Sequence, residues 1–267
     1  MTDQIPERDG GAERLWRDVD LSGTTLLLGG GTGQLARLLD EQIARSDGQL
    51  VVLDYRPALL EALSQVAFSS HTWLIRARHR QAPVLSESAD LVVVNGVLRE
   101  VPEGGLETIA EEYWRLLIPG GRLRISDIVE SQNDASTAAW SERNNLVRKM
   151  AQAMGRPTAV AVDLRKAAQA LKVAGFEGLK VALMPGYPLS DAWFENTVSS
   201  VRTMVARVAD AALREQVLSQ DLLRLREAYS LGGQRAADRF VIRGTKPGDL
   251  ALDMEASFSE DDLWSED

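Results

Sequence analysis

The stretch TTLLLGGGTGQLARLL, residues 24–39, decides the reading of this chain. Leu26, Leu27 and Leu28 run into Gly29, Gly30, Gly31, Thr32 and Gly33, and a helical pattern with Leu35, Leu38 and Leu39 begins at once. A short apolar run closed by glycines reads as a buried strand. A strand that passes straight into glycines and then a helix sets backbone N–H groups at the carboxyl edge of a sheet. Glycine there permits positive φ and lets a ligand approach the backbone closely. The glycine spacing is GxGxG. The dinucleotide fingerprint needs a further glycine at position 34, where the chain has Gln34. The phosphate-loop motif needs a Gly-Lys-Ser/Thr ending, and this turn has none. Both nucleotide forms of the turn are therefore excluded.

Working outward, strand and helix signals alternate. QLVVLD (49–54) reads as a second strand, with the helix GQLARLLDEQIARS (33–46) between it and the first. RPALLEALSQVA (56–67) is a helix opened by Pro57, HTWLIRAR (71–78) a third strand and ADLVVVNGV (89–97) a fourth. GLETIAEEYWRLLIPGG (105–121) reads as a helix stopped by Pro119 and two glycines, followed by the strand RLRISDIV (122–129). The helix DLRKAAQALKVAGF (163–176), the strand LKVALMP (179–185) and the strand DRFVIRGTKP (238–247) complete the series. Such alternation implies a doubly wound α/β sheet, mostly parallel, with helices on both faces.

Two stretches interrupt it, helical insertions near 130–160 and 187–235. The second carries Phe194, Val198, Val201, Val205, Val208 and Ala212, continued by Leu218, Leu222, Leu225 and Tyr229. This apolar seam must pack on the sheet domain or on a second copy, so a homodimer through segment 192–230 is one expectation. Asp54 ends the second strand beside the glycine turn. There it either caps the helix that begins at Pro57 or accepts hydrogen bonds from ribose hydroxyls.

These residues resemble the class I S-adenosylmethionine-dependent methyltransferase family, over about 24–184 and 238–247. The pieces that carry the resemblance are LLLGGGTGQLARLL, VVLDYRPALLEAL, ADLVVVNGVLREVP, YWRLLIPGGRLRISDI and LKVAGFEGLKV. It implies a Rossmann-like seven-stranded sheet whose last strand, RFVIRGT, is antiparallel. The resemblance also implies S-adenosylmethionine as cofactor. Gly29, Gly30, Gly31 and Gly33 would cradle its methionine part, Asp54 its ribose and Tyr55 its adenine, with Asn95 facing the transferred methyl. Two positions depart from the family pattern. Leu27 stands where members usually carry an acid, and Arg78, beside His79, stands where many carry an Asp for the adenine amine. An arginine has only donors and cannot accept from that amine. The cofactor is then held with fewer side-chain contacts, or the pocket serves another, anionic ligand, or the domain is catalytically silent and acts through protein contacts.

Methyl transfer from a sulfonium is an in-line displacement, which needs a general base only when the acceptor must lose a proton. His79 and Glu100 are the candidate bases. Arg99, Trp140 and Tyr187 are the candidate substrate contacts, with Trp140, Leu146, Val147, Met150 and Met154 forming an apolar cover. The chain has no cysteine and only His71 and His79, which excludes thiolate and multi-histidine metal sites, so no metal is expected. The formal net charge of −9 argues against nucleic acid as partner. No apolar run is long enough for a membrane span, and a cytoplasmic location is the default. A small-molecule acceptor is the expected substrate. Residues 1–23 read as an N-terminal extension, 24–247 as the methyltransferase-like domain and 248–267 as an acidic tail suited to a protein partner.

Overall fold

The computed structural model describes residues 15–16, 18–30, 33–102, 104–129, 134–155 and 161–248. Seven strands form one sheet in the order β3-β2-β1-β4-β5-β7-β6. The strands are β1 Thr24–Leu28, β2 Gln49–Asp54, β3 Thr72–Arg76, β4 Ala89–Asn95, β5 Leu117–Ile128, β6 Glu177–Met184 and β7 Arg239–Thr245. Strands β1 to β5 pair in parallel, and β7 runs antiparallel to both β5 and β6. The central strands are apolar on both faces, as a sheet covered by helices on each side requires. Leu26, Leu27 and Leu28, with Val92, Val93 and Val94, are all fully buried.

Helix α1 (Gln34–Ile43), α2 (Pro57–Ser64) and the segment around Leu15 and Leu21 cover one face. Leu35, Leu39, Ile43 and Leu63 pack there on Leu27, Val52, Leu91 and Val93. Helices α3 (Leu106–Leu116) and α5 (Leu164–Val173) cover the other face, with Ile109, Tyr113 and Leu171 against Val94, Leu123, Ile125 and Phe240. The Asp163 carboxylate accepts from the N–H groups of Arg165 and Lys166 and so starts α5. Helix α3 ends at Leu116, ahead of Pro119, and β5 begins at once. The strand signal therefore starts earlier than the sequence pattern suggests. A residue preceding proline is driven out of the helical region, and the chain extends before the ring is reached. A register shift between Ala89 and Leu91 then absorbs the Pro119–Gly121 stretch.

A third layer sits beyond the carboxyl edge. It comprises α4 (Ala138–Ala153), α6 (Asp191–Val205), α7 (Ala211–Gln216) and α8 (Leu222–Ser230). Trp140, Leu146 and Met150 of α4 pack on Phe194, Val198, Val201 and Val205 of α6 and on Leu225 and Tyr229 of α8. Ile128, Ala236 and Ala237 tie this layer to the ends of β5 and β7. The seam of 192–230 is thus largely buried within its own chain. Of that seam, Ala212 and Leu218 remain exposed. The acidic tail expectation falls on 249–267, outside the described residues. No helix among the described residues is long and apolar enough to cross a membrane.

Candidate functional site

The glycine turn and the acid at the end of β2 meet directly. Gly29 has φ +89° and donates from its N–H to the Leu53 carbonyl at 3.1 Å. A Cβ at this position would lie 2.4 Å from the Asn95 carbonyl oxygen, so the turn closes onto β4 only with glycine. Gly30 N–H donates to Asp54 Oδ2 at 3.1 Å. Gly33 precedes α1 with φ +85°, and Gly31 lies outside the described residues.

The Asp54 side chain is fully buried, and among the described residues its remaining partners all come from Arg56. Oδ1 accepts from the Arg56 N–H and Nε, both at 2.9 Å, while Oδ2 accepts from Arg56 Nη2 at 2.7 Å. Burial pushes the carboxyl up, but the Arg56 bonds, its charge and the Gly30 N–H outweigh it and hold Asp54 below its ordinary value. Residue 56, rather than 54, takes the N-cap position of α2, so the simple capping alternative for Asp54 does not hold. Tyr55 is half exposed, and burial together with the nearby Glu100 charge pushes its pKa up.

The two candidate bases gather around Tyr55 and Arg56. His79 meets the Tyr55 ring edge-on at 5.9 Å between centroids. Among the described residues neither buried His79 ring nitrogen has a hydrogen-bond partner, and burial pushes its pKa down. Glu100 lies 3.9 Å from Arg56 Nη1, and burial pushes its carboxyl up, against the pull of Arg56 and Arg99. His79 is therefore grouped with the β2 end of the cleft, and Glu100 stands between that end and Asp127. Arg78 is exposed, as are Arg76 and Arg80, while His79 is buried.

A second group lies at the ends of β4, β5 and β7. Asn95 Oδ1 is 3.5 Å from Arg239 Nη2, which also reaches Ser126 Oγ at 3.2 Å. The antiparallel course of β7 places Arg239, its first residue, at this edge, paired with Ile128. Asp127 is buried and accepts from the Arg99 N–H at 3.1 Å, with Arg99 Nε 3.5 Å from its other oxygen. Burial pushes the Asp127 carboxyl up despite Arg99 and Arg239. Above this edge Trp140 stacks on Trp193 at 5.9 Å and meets Tyr187 edge-on at 6.2 Å. Of the substrate contacts read from sequence, Arg99 and Tyr187 both act electrostatically on Arg143. Trp140 lies beneath that same guanidinium, so the three are brought together. Sequence reasoning missed Arg56, Asp127, Arg143 and Arg239. Only Arg56 carried a sequence signal, as a donor two positions from Asp54. Among the described residues no group of three or more His, Asp or Glu side chains could hold a metal.

A glycine turn bonded to an acid across β1 and β2, on a seven-stranded sheet with β7 reversed, is a Rossmann-like arrangement. Comparison with known proteins agrees, for residues 26–125 match a family described as a methyltransferase domain. The chain is 30% identical over 122 residues to a 2-phytyl-1,4-naphtoquinone methyltransferase of Thermosynechococcus vestitus, covering 45% of this chain and 52% of that one. It is 28% identical over 111 residues to an arsenite methyltransferase of Halobacterium salinarum, covering 40% of this chain and 28% of that one. The chain thus spans about half, or less, of the length of these curated relatives. In fold it is similar to a crystal structure of a candidate methyltransferase from Bacillus halodurans. The TM-score is 0.57 at 17% identity, covering 89% of this chain and 99% of that one. The resemblance to methyltransferases thus extends over residues 26–125 in sequence and over most of the chain in fold.

Proposed function

We propose that this chain transfers a methyl group from S-adenosylmethionine to a small-molecule acceptor. The observation that carries the reading is the Gly30 N–H bond to Asp54, which joins a backbone cradle to a buried carboxylate at the carboxyl edge of the sheet. The cofactor fits these residues on one condition. Asp54 has about four acceptor directions, and the Gly30 and Arg56 donors fill all of them. A ribose diol would need two, so the Arg56 guanidinium must swing away. Its side chain is 40% exposed and has room to do so.

When bound, the cofactor supplies an electrophilic methyl on a sulfonium. The turn at Gly29 and Gly30 would receive the methionine part, Asp54 the ribose and Tyr55 the adenine, while Asn95 would face the methyl. Alignment of donor and acceptor then supplies most of the rate. The helical layer of α4, α6 and α8 excludes water from the acceptor side, and its stacked Trp140, Trp193 and Tyr187 favour a flat or apolar acceptor. The net charge of −9 and the aromatic lining support a small molecule over a nucleic acid. Of the relatives' acceptors, an organic ring suits the aromatic layer better than arsenite, because the chain has no thiolate to hold arsenic. Glu100 is the better-placed base for an acceptor that must lose a proton, since burial raises its pKa.

One observation favours a second reading. The saturated Asp54–Arg56 pair leaves a catalytically silent domain in contention, one in which Arg56 permanently replaces the ribose. Calorimetric titration with S-adenosylmethionine and S-adenosylhomocysteine separates the two. Binding that Asp54→Ala weakens about tenfold or more supports transfer, since charged hydrogen bonds of this kind are worth about 1.5–3 kcal/mol. No binding at about 1 mM, an affinity of only about 4 kcal/mol, overturns it.

A further inference from the structure

The helical layer places a cation where the proposed acceptor would sit, and no carboxylate answers it. Arg143 of α4 is half-buried, one helical turn beyond Trp140. Its guanidinium lies over the Trp140 ring at 5.6 Å, and Nη1 donates to Asn144 Oδ1 at 2.9 Å. Three other half-buried arginines have acids: Arg56 pairs with Asp54, Arg115 with Glu112 and Arg235 with Asp238. Among the described residues no carboxylate lies within ion-pair reach of Arg143, and the charge acting on it is that of Arg99. Burial and Arg99 together push its pKa down, so its charge is held there at a cost.

An independent observation points the same way. Trp140 is only 6% exposed, yet its Nε1–H has no acceptor among the described residues. A buried indole donor normally finds a partner. The same helical turn therefore presents a guanidinium without a counter-ion and an N–H without an acceptor, beside the ring of Tyr187. An oxyanion satisfies both groups, and a planar one suits the guanidinium fork best.

We infer that the acceptor carries an anionic group, a carboxylate or a phosphate, which pairs with Arg143 while its body rests on Trp140 and Tyr187. This rests on the methyl-transfer reading only in calling the ligand an acceptor. The anion site itself can be tested without cofactor.

The probes are benzoate, phenyl phosphate and neutral benzamide, titrated into the full chain with and without saturating S-adenosylhomocysteine. At least one anion is expected to bind about tenfold more tightly than benzamide, and the better of the two identifies carboxylate or phosphate as the group recognised. Arg143→Gln should abolish that preference and leave S-adenosylhomocysteine affinity within about twofold. Arg143→Lys, which keeps the charge but loses the planar fork, should retain part of it and serves if the glutamine variant does not fold. Benzamide binding as tightly as both anions overturns the inference, as does failure of both anions to bind the wild type at about 10 mM. So does a glutamine variant that keeps the preference, or one that loses S-adenosylhomocysteine affinity instead, since the guanidinium would then serve the donor's own carboxylate. Failure of the wild type to bind S-adenosylhomocysteine sinks the proposed function alone, because the anion preference of the free protein still decides this point.

Discussion

Replacing Arg56 by alanine is expected to tighten binding of S-adenosylhomocysteine, even though it removes a cation from the ligand's own site. Arg56 holds Asp54 through Nε at 2.9 Å and Nη2 at 2.7 Å, and those bonds occupy the oxygens that a ribose would use. Charged hydrogen bonds of this kind contribute about 1.5–3 kcal/mol when buried. The Arg56 side chain is 40% exposed, so solvent screening reduces the pair to about 1 kcal/mol. Removing the competitor should therefore tighten the ligand about fivefold. The free protein should lose a similar amount, about 1 kcal/mol, because Asp54 keeps its charge with fewer donors. Calorimetric titration of wild type and Arg56→Ala reads the first effect, and denaturant midpoints read the second. Salt provides a control. The exposed half of the pair is screened, so the affinity gap between the two proteins should narrow as salt rises. The acid limb provides another. Asp54 titrates below its ordinary value, so its stabilisation is present above the unfolded carboxylate range and is lost as pH falls through the lower, folded pKa. Without the Arg56 side chain that depression shrinks, and the acid-side contribution should shrink with it. Weaker or unchanged S-adenosylhomocysteine binding in Arg56→Ala would refute the reasoning. It would mean that Arg56 either assists the ligand or stands clear of it.

Three further outcomes follow from the geometry. Burial lowers the His79 pKa, so the unfolded chain binds more protons just below its ordinary value of 6.5 and stability should fall with pH from there downward. His79→Phe keeps the edge contact with Tyr55 and should flatten that slope in urea midpoints taken between about pH 5 and 7; an unchanged slope would place the titration elsewhere. Gly29→Ala should cost about 2–4 kcal/mol by the same assay, because its Cβ meets the Asn95 carbonyl at 2.4 Å and its φ is +89°. Leu225→Ala, at a fully buried position of α8, should cost about 2–5 kcal/mol, and a single coincident transition by near- and far-UV dichroism would show that the helical layer unfolds with the sheet.

The sheet was legible because its signals are local. Strands buried on both faces are nearly continuous apolar runs, and LLLGG and VVLD announce both the strand and the place where it stops. Contact between the turn and Asp54 was also legible, since adjacent parallel strands bring their carboxyl ends together whatever else the chain does. Partners were harder to read. Nothing in DYR says that the arginine folds back onto the acid two residues earlier, because extended backbone at Arg56 (ψ 111°) and the Asx-type bond to its N–H set that direction together. Arg143 and Arg239 lie further still from local pattern. Arg239 reaches Asn95 across 144 positions of sequence only because β7 inserts antiparallel between β5 and β6. In α4 the rotation is fixed by Trp140, Leu146 and Met150 packing on α6 and α8, so a charged residue one turn from Trp140 is carried under the cover instead of into solvent. The two ends of the cleft thus differ in kind. At β2 a carboxylate is saturated by the chain itself and must be released before a ligand can use it. Under α4, among the described residues, a guanidinium has no carboxylate beside it and an indole N–H has no acceptor. On the proposed function, an ordered consequence follows: the acceptor end is pre-organised and the donor end is not, so ligand-induced rearrangement is expected at Arg56 and chemical selectivity at Arg143.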